Sequence, residues 1–141
     1  MQRTGSAIWQ GDLKSGKGTL TTESKTLSHT PYSFTTRFEQ GQGTNPEELI
    51  AAAHAGCFTM ALSAQLGNAG LTPDSLETTA TLSFDKQEAG WTVTGVLLRV
   101  RGRVPRADQA AWDKATEAAK TGCPVSRLLK TTIMMDATLE R

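Results

Sequence analysis

The chain has 141 residues, of which 38% are hydrophobic and 21% are charged, and its net charge is +1. That length fits one globular domain over residues 1–141, and the composition excludes a disordered chain. A charge this close to zero argues against nucleic acid and membrane partners. Two cysteines are too few for a disulfide scaffold, and residues 1–6 contain no apolar signal segment. We therefore expect a cytoplasmic protein.

The first 45 residues have the pattern of short strands. Ala7 and Trp9 alternate with polar neighbours, and glycines interrupt the segment at several points. In the run 34–38, Phe34 and Phe38 fall on one face of a strand and Arg37 on the other. The alternation therefore predicts that this run is also a strand.

A long helix is predicted next, with Asn45 as N-cap, Pro46 at its first position and Gly70 as its stop. Residues 49–72 carry no formal charge. The segment is long enough to span a bilayer, but its alanine-rich content, interrupted by His54, favours a helix surrounded by protein. Its length of roughly 35 Å exceeds what one small domain needs to cover. An intertwined dimer is therefore expected.

The second half of the chain alternates strands with helices. The parity of the apolar residues changes across Gly95, which indicates a β-bulge. Asp108 is a good N-cap for a helix that Gly122 ends. The predicted elements are a strand around 80–85, a turn at 88–90, a strand ending at Pro105, helices over 109–121 and 123–129, and a strand over 132–139. Together these elements predict an α+β fold.

The two cysteines are the main candidates for chemistry. Cys57 lies within the apolar helix, where a cysteine is either a small buried hydrophobe or a protected reactive thiol. Cys123 falls at the predicted N-cap of the third helix, where the helix dipole lowers a thiol pKa. They are 66 positions apart, so only the fold can bring them within disulfide range. His54 is three residues before Cys57 and is either a base for the thiol or a satisfied core histidine.

Other site classes find little support in the sequence. The possible metal ligands are His29, His54, Cys57 and Cys123. No pair among them has a short metal-binding spacing, so no metal is predicted. Alternating arginines before Pro105 read better as a solvated strand face than as a phosphate site; they are Arg99, Arg101 and Arg103.

The order of these motifs resembles one known family. The run 43–58 resembles the helix that carries the reactive cysteine of the OsmC family, and residues 119–126 resemble that family's second cysteine motif. Residues 9–18 and 31–39 fit the family's N-terminal part. The chain is therefore similar, over almost its whole length, to the OsmC and organic hydroperoxide resistance superfamily.

The resemblance implies an α+β fold: an intertwined homodimer with antiparallel sheets around long central helices. It also implies a thiol peroxidase in oxidative and osmotic stress defence, which reduces organic hydroperoxides and, less well, hydrogen peroxide. Cys57 matches the peroxidatic cysteine and Cys123 the resolving one, and the two form a disulfide after Cys57 becomes a sulfenic acid. Arg37 matches the residue that stabilises the thiolate, and Glu47 the one that orients Arg37. A dithiol reductant, lipoyl groups among them, is implied, with no metal or other cofactor.

Placement of the residues adds further expectations. Cys57 is expected in a water-poor setting, and Cys123 at an exposed turn. Glu47 precedes Cys57 by ten positions, about 15 Å along the helix, so Glu47 and Arg37 are expected to reach Cys57 from the partner chain. Apolar residues around Cys57 are expected to line a pocket for an alkyl chain; they are Ile50, Gly56, Phe58, Met60 and Leu62. The alternative is a non-enzymatic dimeric binding or structural protein with inert cysteines.

Overall fold

The computed structural model describes all 141 residues as two compact units, Met1–Leu49 and Ile50–Arg141. The expectation of one domain over the whole chain stays a prediction. The strands are β1 Gly5–Gln10, β2 Lys17–Thr22, β3 Thr30–Tyr32, β4 Ser75–Gln87, β5 Gly90–Arg103 and β6 Thr132–Glu140. The helices are α1 Phe34–Phe38, α2 Pro46–Asn68, α3 Gln109–Gly122 and α4 Pro124–Leu128.

The first unit is built on an antiparallel sheet in the order β1-β2-β3. Gly18 in β2 faces Trp9 on one neighbouring strand and Tyr32 on the other. The two rings lie 5.5 Å apart, and a Cβ at Gly18 would overlap both of them. Glycine at this position therefore lets two aromatic rings from the outer strands meet above the central strand.

The prediction of a strand over residues 34–38 is wrong, because this run forms α1. Ser33 caps the helix through a capping box, in which its side chain accepts from the backbone N–H of Thr36 and the Thr36 side chain is bonded in return to the backbone N–H of Ser33. The rings of Phe34 and Phe38 then meet at 5.0 Å, as residues four apart do on a helix. Positions 34 and 38 share a face in either structure, so the capping residues decide between the two.

Helix α2 begins and ends close to where the capping residues predict. Asn45 Oδ1 accepts from the backbone N–H of Glu48 at 2.8 Å, and Gly70 takes a φ of +74° just beyond the end. By length and composition alone α2 could cross a membrane, and 22% of its most apolar window is buried. One stripe with a spacing of four residues is fully covered: His54, Phe58, Leu62 and Leu66. One face of α2 is thus covered within the single chain, and the expectation of a helix surrounded by protein stays a prediction.

The second unit contains a mixed sheet in the order β4-β5-β6. Strands β4 and β5 form the predicted hairpin, and the register shifts between Ser83 and Phe84, opposite the predicted bulge near Gly95. The α+β class is confirmed. The expectation of purely antiparallel sheets holds for β1–β3 and for the β4–β5 hairpin, but β6 pairs with β5 in parallel. A parallel neighbour needs a crossover connection, which α3 and α4 supply.

The core of the chain lies in this second unit. It joins the buried stripe of α2 to the inner residues of β5 and to Trp112 of α3, which is completely buried. Gly102 of β5 lies directly under the Trp112 ring, and a Cβ there would overlap it. Asp108 caps α3 as predicted, since its side chain accepts from the backbone N–H of Ala111 at 2.7 Å. These contacts place α3 on the core, and Cys123, which follows its last residue, belongs to the same cluster.

Candidate active site

The two cysteines meet although 66 residues separate them in the sequence. A hydrogen bond of 2.8 Å joins Sγ of Cys123 to Sγ of Cys57, and both are free thiols. Cys57 is half-buried, whereas Cys123 has no exposed surface. The expectation that Cys123 lies at an exposed turn is therefore wrong. Gly122 and Cys123 do end one helix and begin the next, but the core cluster covers the thiol.

Within its own unit, Cys57 is held as a thiol rather than a thiolate. Burial raises the pKa of Cys57 above its ordinary value, and the hydrogen bond with Cys123 acts in the same direction. The backbone N–H of Val125, in the first turn of α4, opposes them by donating to the sulfur. A positive charge beside the sulfur would lower the pKa of Cys57 and make it a better nucleophile.

A second polar contact joins the same two helices. Nε2 of His54 lies 2.8 Å from Oγ of Ser126, and both residues are buried. The other ring nitrogen, Nδ1, is buried without a hydrogen-bond partner, and burial lowers the pKa of His54. Nε2 is paired with the Ser126 hydroxyl and Nδ1 has no partner, so neither ring nitrogen of His54 is hydrogen-bonded to Cys57. Of the two sequence interpretations, the geometry favours the core histidine.

Arg37 and Glu47 form the charged pair that the resemblance implied. Arg37 Nη2 lies 2.8 Å and Nε 3.0 Å from Oε1 of Glu47, and Nε is also 3.3 Å from Oε2. The Glu47 side chain is 14% exposed and that of Arg37 is 39% exposed. The guanidinium also lies 5.2 Å from the centre of the Phe38 ring. The carboxylate thus fixes the direction of a cation that remains accessible.

Beside Arg37 the first unit contains an aromatic cavity of about 250 Å³. Its lining residues are Trp9, Leu13, Tyr32, Ser33, Phe34, Arg37 and Phe38. The expectation of an alkyl pocket made by residues around Cys57 is wrong for Phe58 and Leu62, because both are fully buried in the core. Met60, by contrast, is 77% exposed. The apolar cavity that the structure shows beside a candidate residue is therefore the one at Arg37.

The remaining candidates are structural. No group of three or more His, Cys, Asp or Glu side chains is arranged to hold a metal ion. Arg101 forms exposed ion pairs with Glu77 and Glu140, both at 3.3 Å. Arg103 approaches the same Glu140 at 3.9 Å. The arginine strand is thus a solvated face with neighbouring carboxylates, as the sequence favoured.

Sequence reasoning missed Ser126 and the aromatic cavity. Ser126 follows Cys123 by three positions, as His54 precedes Cys57 by three, so each polar residue lies three positions from a cysteine. That symmetry was visible in the sequence, but nothing in it indicated which helix faces which. The cavity requires the α1 helix, and the strand prediction would have sent Arg37 and Phe38 to opposite faces.

Comparison with known proteins agrees with this geometry. The family profile described as OsmC-like protein matches residues 39–138. The chain is 51% identical to the peroxiredoxin OsmC of Escherichia coli strain K12, over 99% of this chain and 98% of that protein. It is 30% identical to the organic hydroperoxide resistance protein of Xanthomonas axonopodis pv. citri, over 70% of this chain and 68% of the other.

Solved structures share the fold. The organic hydroperoxide resistance protein OhrB of Bacillus subtilis superposes with a TM-score of 0.74 at 24% identity, covering 96% of this chain and 98% of the other. An OsmC-like protein from Vibrio cholerae gives 0.78 at 15% identity, covering 98% and 99%. The chain therefore belongs to the OsmC family and is a cysteine-based peroxidase of that family.

Proposed function

We propose that this protein reduces organic hydroperoxides to alcohols, and hydrogen peroxide less well, with Cys57 as the peroxidatic and Cys123 as the resolving cysteine. The observation that carries the proposal is the contact of 2.8 Å between two sulfurs from distant parts of the chain. Inert buried cysteines, the non-enzymatic alternative, have no need to meet. The names of the similar proteins support the substrate class.

The exposure of the two cysteines supports this division of roles. Cys57 is half-buried and can meet a substrate, whereas Cys123 is fully buried and touches Cys57. A peroxide must reach the attacking sulfur, while the resolving sulfur needs to reach only its partner. Cys123 is buried and not exposed as the sequence led us to expect, and the proposed assignment is unchanged.

The first step is nucleophilic substitution on oxygen. The Cys57 thiolate attacks one peroxide oxygen, the O–O bond breaks, and the departing oxygen takes a proton to become the alcohol. Cys57 is thereby oxidised by two electrons to a sulfenic acid. A guanidinium beside the sulfur stabilises both the thiolate and the charge that develops on the departing oxygen. Arg37, aligned by Glu47, is the residue proposed for this role.

The second step forms the disulfide. The Cys123 sulfur attacks the Cys57 sulfenic acid, the S–O bond breaks, and hydroxide leaves with the proton of the Cys123 thiol as water. The disulfide keeps Cys57 from the irreversible sulfinic state. A dithiol reductant, of which lipoyl groups are one class, then exchanges with the disulfide and restores both thiols.

The proposal includes a cytoplasmic homodimer with shared sites, each chain acting as one peroxidase domain. Glu47 precedes Cys57 by ten residues on α2, about 15 Å along the axis, so a pair bound to Glu47 is badly placed for Cys57 of its own helix. Uncovered apolar residues of α2, Met60 among them, support a partner chain on that face. The same resemblance that implied the pair implied an intertwined dimer.

One equivalent of cumene hydroperoxide tests the division of roles. Wild-type protein should lose both free thiols in a titration, and mass spectrometry should find an internal disulfide. Cys57→Ser should consume no peroxide. Cys123→Ser should react once and then accumulate sulfenic and sulfinic acid. Two free thiols in treated wild-type protein would support the non-enzymatic alternative, and a reactive Cys57→Ser protein would reverse the roles.

A further inference from the structure

The proposed chemistry leaves one buried polar contact between the cysteine-bearing segments unused. His54 lies three residues before Cys57 on α2, and Ser126 lies three residues after Cys123 on α4. Their 2.8 Å contact runs beside the 2.8 Å contact of the sulfurs. Two contacts therefore join the segments. One is between the two cysteines, and the other is between residues that take no part in the proposed redox chemistry.

We propose that His54 and Ser126 are positioning residues for disulfide formation, which hold the first turn of α4 against α2 so that Cys123 captures the Cys57 sulfenic acid before a second peroxide does. This inference rests on the proposed function. Neither residue touches the peroxide in this proposal; both act through the placement of Cys123.

Helix α4 needs such a contact because it has little means of holding its own first turn. It has five residues, and its N-cap, Cys123, makes no side-chain capping bond. A helix this short is unstable without tertiary contacts. Ser126 lies in the first turn, next to Val125, whose N–H meets the Cys57 sulfur. A bond at Ser126 therefore fixes both groups of α4 that face Cys57.

Stability alone does not account for the pair. Nδ1 of His54 is buried without a partner, and such an atom lowers the stability of a core. An apolar side chain of similar size, opposite alanine, would avoid that loss. A hydrogen bond, however, requires a particular distance and angle, which apolar contacts do not. Directional placement is thus what the polar pair adds.

Two reactions compete for the Cys57 sulfenic acid, and the placement of Cys123 decides between them. Resolution breaks the S–O bond of the sulfenic acid, forms the S–S bond and releases water. Over-oxidation consumes a second hydroperoxide, whose O–O bond breaks to give alcohol and the Cys57 sulfinic acid. Resolution is intramolecular and depends on how often the Cys123 sulfur is in place, whereas over-oxidation depends on the peroxide concentration.

The test measures the cumene hydroperoxide concentration at which half of Cys57 becomes sulfinic acid in one turnover. Mass spectrometry counts disulfide and sulfinic acid in the same sample. Ser126→Ala and His54→Leu should each lower this concentration about tenfold, because a small displacement of reacting groups costs one to two orders of magnitude in rate. His54→Gln, whose amide nitrogen can take the place of Nε2, should recover most of the wild-type value.

A double variant separates positioning from stability. His54→Leu with Ser126→Ala removes both polar partners and leaves no buried orphan, so its melting temperature should exceed that of either single variant. Its over-oxidation should nevertheless stay about tenfold easier than in wild type. A double variant that recovers both properties together would overturn the inference.

Thr59→Val is the matched control. It removes another 2.8 Å hydrogen bond of α2, from Oγ1 of Thr59 to Oγ1 of Thr78 on β4, without touching α4. It should leave unchanged the peroxide concentration at which half of Cys57 becomes sulfinic acid. If that concentration were the same in Ser126→Ala, His54→Leu and wild-type proteins, the inference would also be overturned. Wild-type protein that forms neither sulfenic acid nor disulfide would instead refute the proposed function, and the inference with it.

Discussion

The two units differ in which of the groups needed for the proposed reaction they carry. The first presents an accessible cation, Arg37, beside an open aromatic cavity, and it contains little of the core. The second sets both thiols against a densely packed core, where burial raises the pKa of Cys57. In the second unit the Cys57 thiol meets Cys123 while its pKa is raised, and in the first unit Glu47 aligns the Arg37 guanidinium. The proposed reaction needs a thiol and a cation together, and the proposed dimer with shared sites would supply both.

Removal of the cation from the first unit should have the largest effect on activity. Arg37→Leu should lower kcat/KM for cumene hydroperoxide by about 10²–10³-fold, the range for loss of one group that stabilises developing charge. Since the second unit alone raises the pKa of Cys57, alkylation of Cys57 should then need a higher pH. Arg37→Lys keeps the charge but loses the bidentate pair, so its kcat/KM should lie between those of wild type and Arg37→Leu. An unchanged alkylation profile in Arg37→Leu would mean that another group activates the thiol.

The aromatic cavity should make the enzyme prefer alkyl substrates. Each buried CH₂ contributes about 0.8 kcal/mol, so three or four of them give a preference on the order of a hundredfold in kcat/KM. Cumene and tert-butyl hydroperoxides should therefore react faster than hydrogen peroxide with one dithiol reductant. Phe34→Ala opens the cavity wall and should reduce the preference while hydrogen peroxide turnover stays the same. Equal kcat/KM for all three substrates in wild type would leave the cavity without a role.

Mixed dimers test whether the thiol and the cation come from different chains. Cys57→Ser chains co-expressed with Glu47→Ala chains should give heterodimers with one intact site and one doubly altered site. Activity should return to about half that of wild type, above that of either parent. Verified heterodimers that stay as inactive as the parents would place Arg37, Glu47 and Cys57 of each site in the same chain.

The smallest effect concerns the stability of the second unit at low pH. Burial lowers the pKa of His54 below its ordinary 6.5, so the unfolded chain takes up the proton first. The contribution of His54 to the free energy of unfolding is therefore complete above pH 6.5. It declines as the pH falls below that value, by at most about 1.4 kcal/mol per pH unit. Thermal melts of wild type and His54→Gln between pH 7.5 and 5.0 should diverge, with wild type losing more. Parallel melting curves would contradict a buried neutral histidine.

Local signals predicted most of the fold. The capping residues Asn45, Gly70 and Asp108 placed the ends of α2 and the start of α3, since a cap acts within a few residues of the chain. Alternation along β4 and β5 placed the hairpin and its bulge. The failure at α1 has the same origin, because residues 34–38 fit the alternation of a strand and the local signal for a helix is the capping box at Ser33.

The sequence by itself determined the α+β class, the family, and the four residues that carry the proposed chemistry. Only the tertiary structure decided that Cys123 is the buried thiol and Cys57 the accessible one, that the two sulfurs meet, and that His54 pairs with Ser126. The reason is the range of the interactions. Capping and alternation act over a few residues, whereas burial and the meeting of α2 with α4 depend on how a crossover through α3 packs on one core.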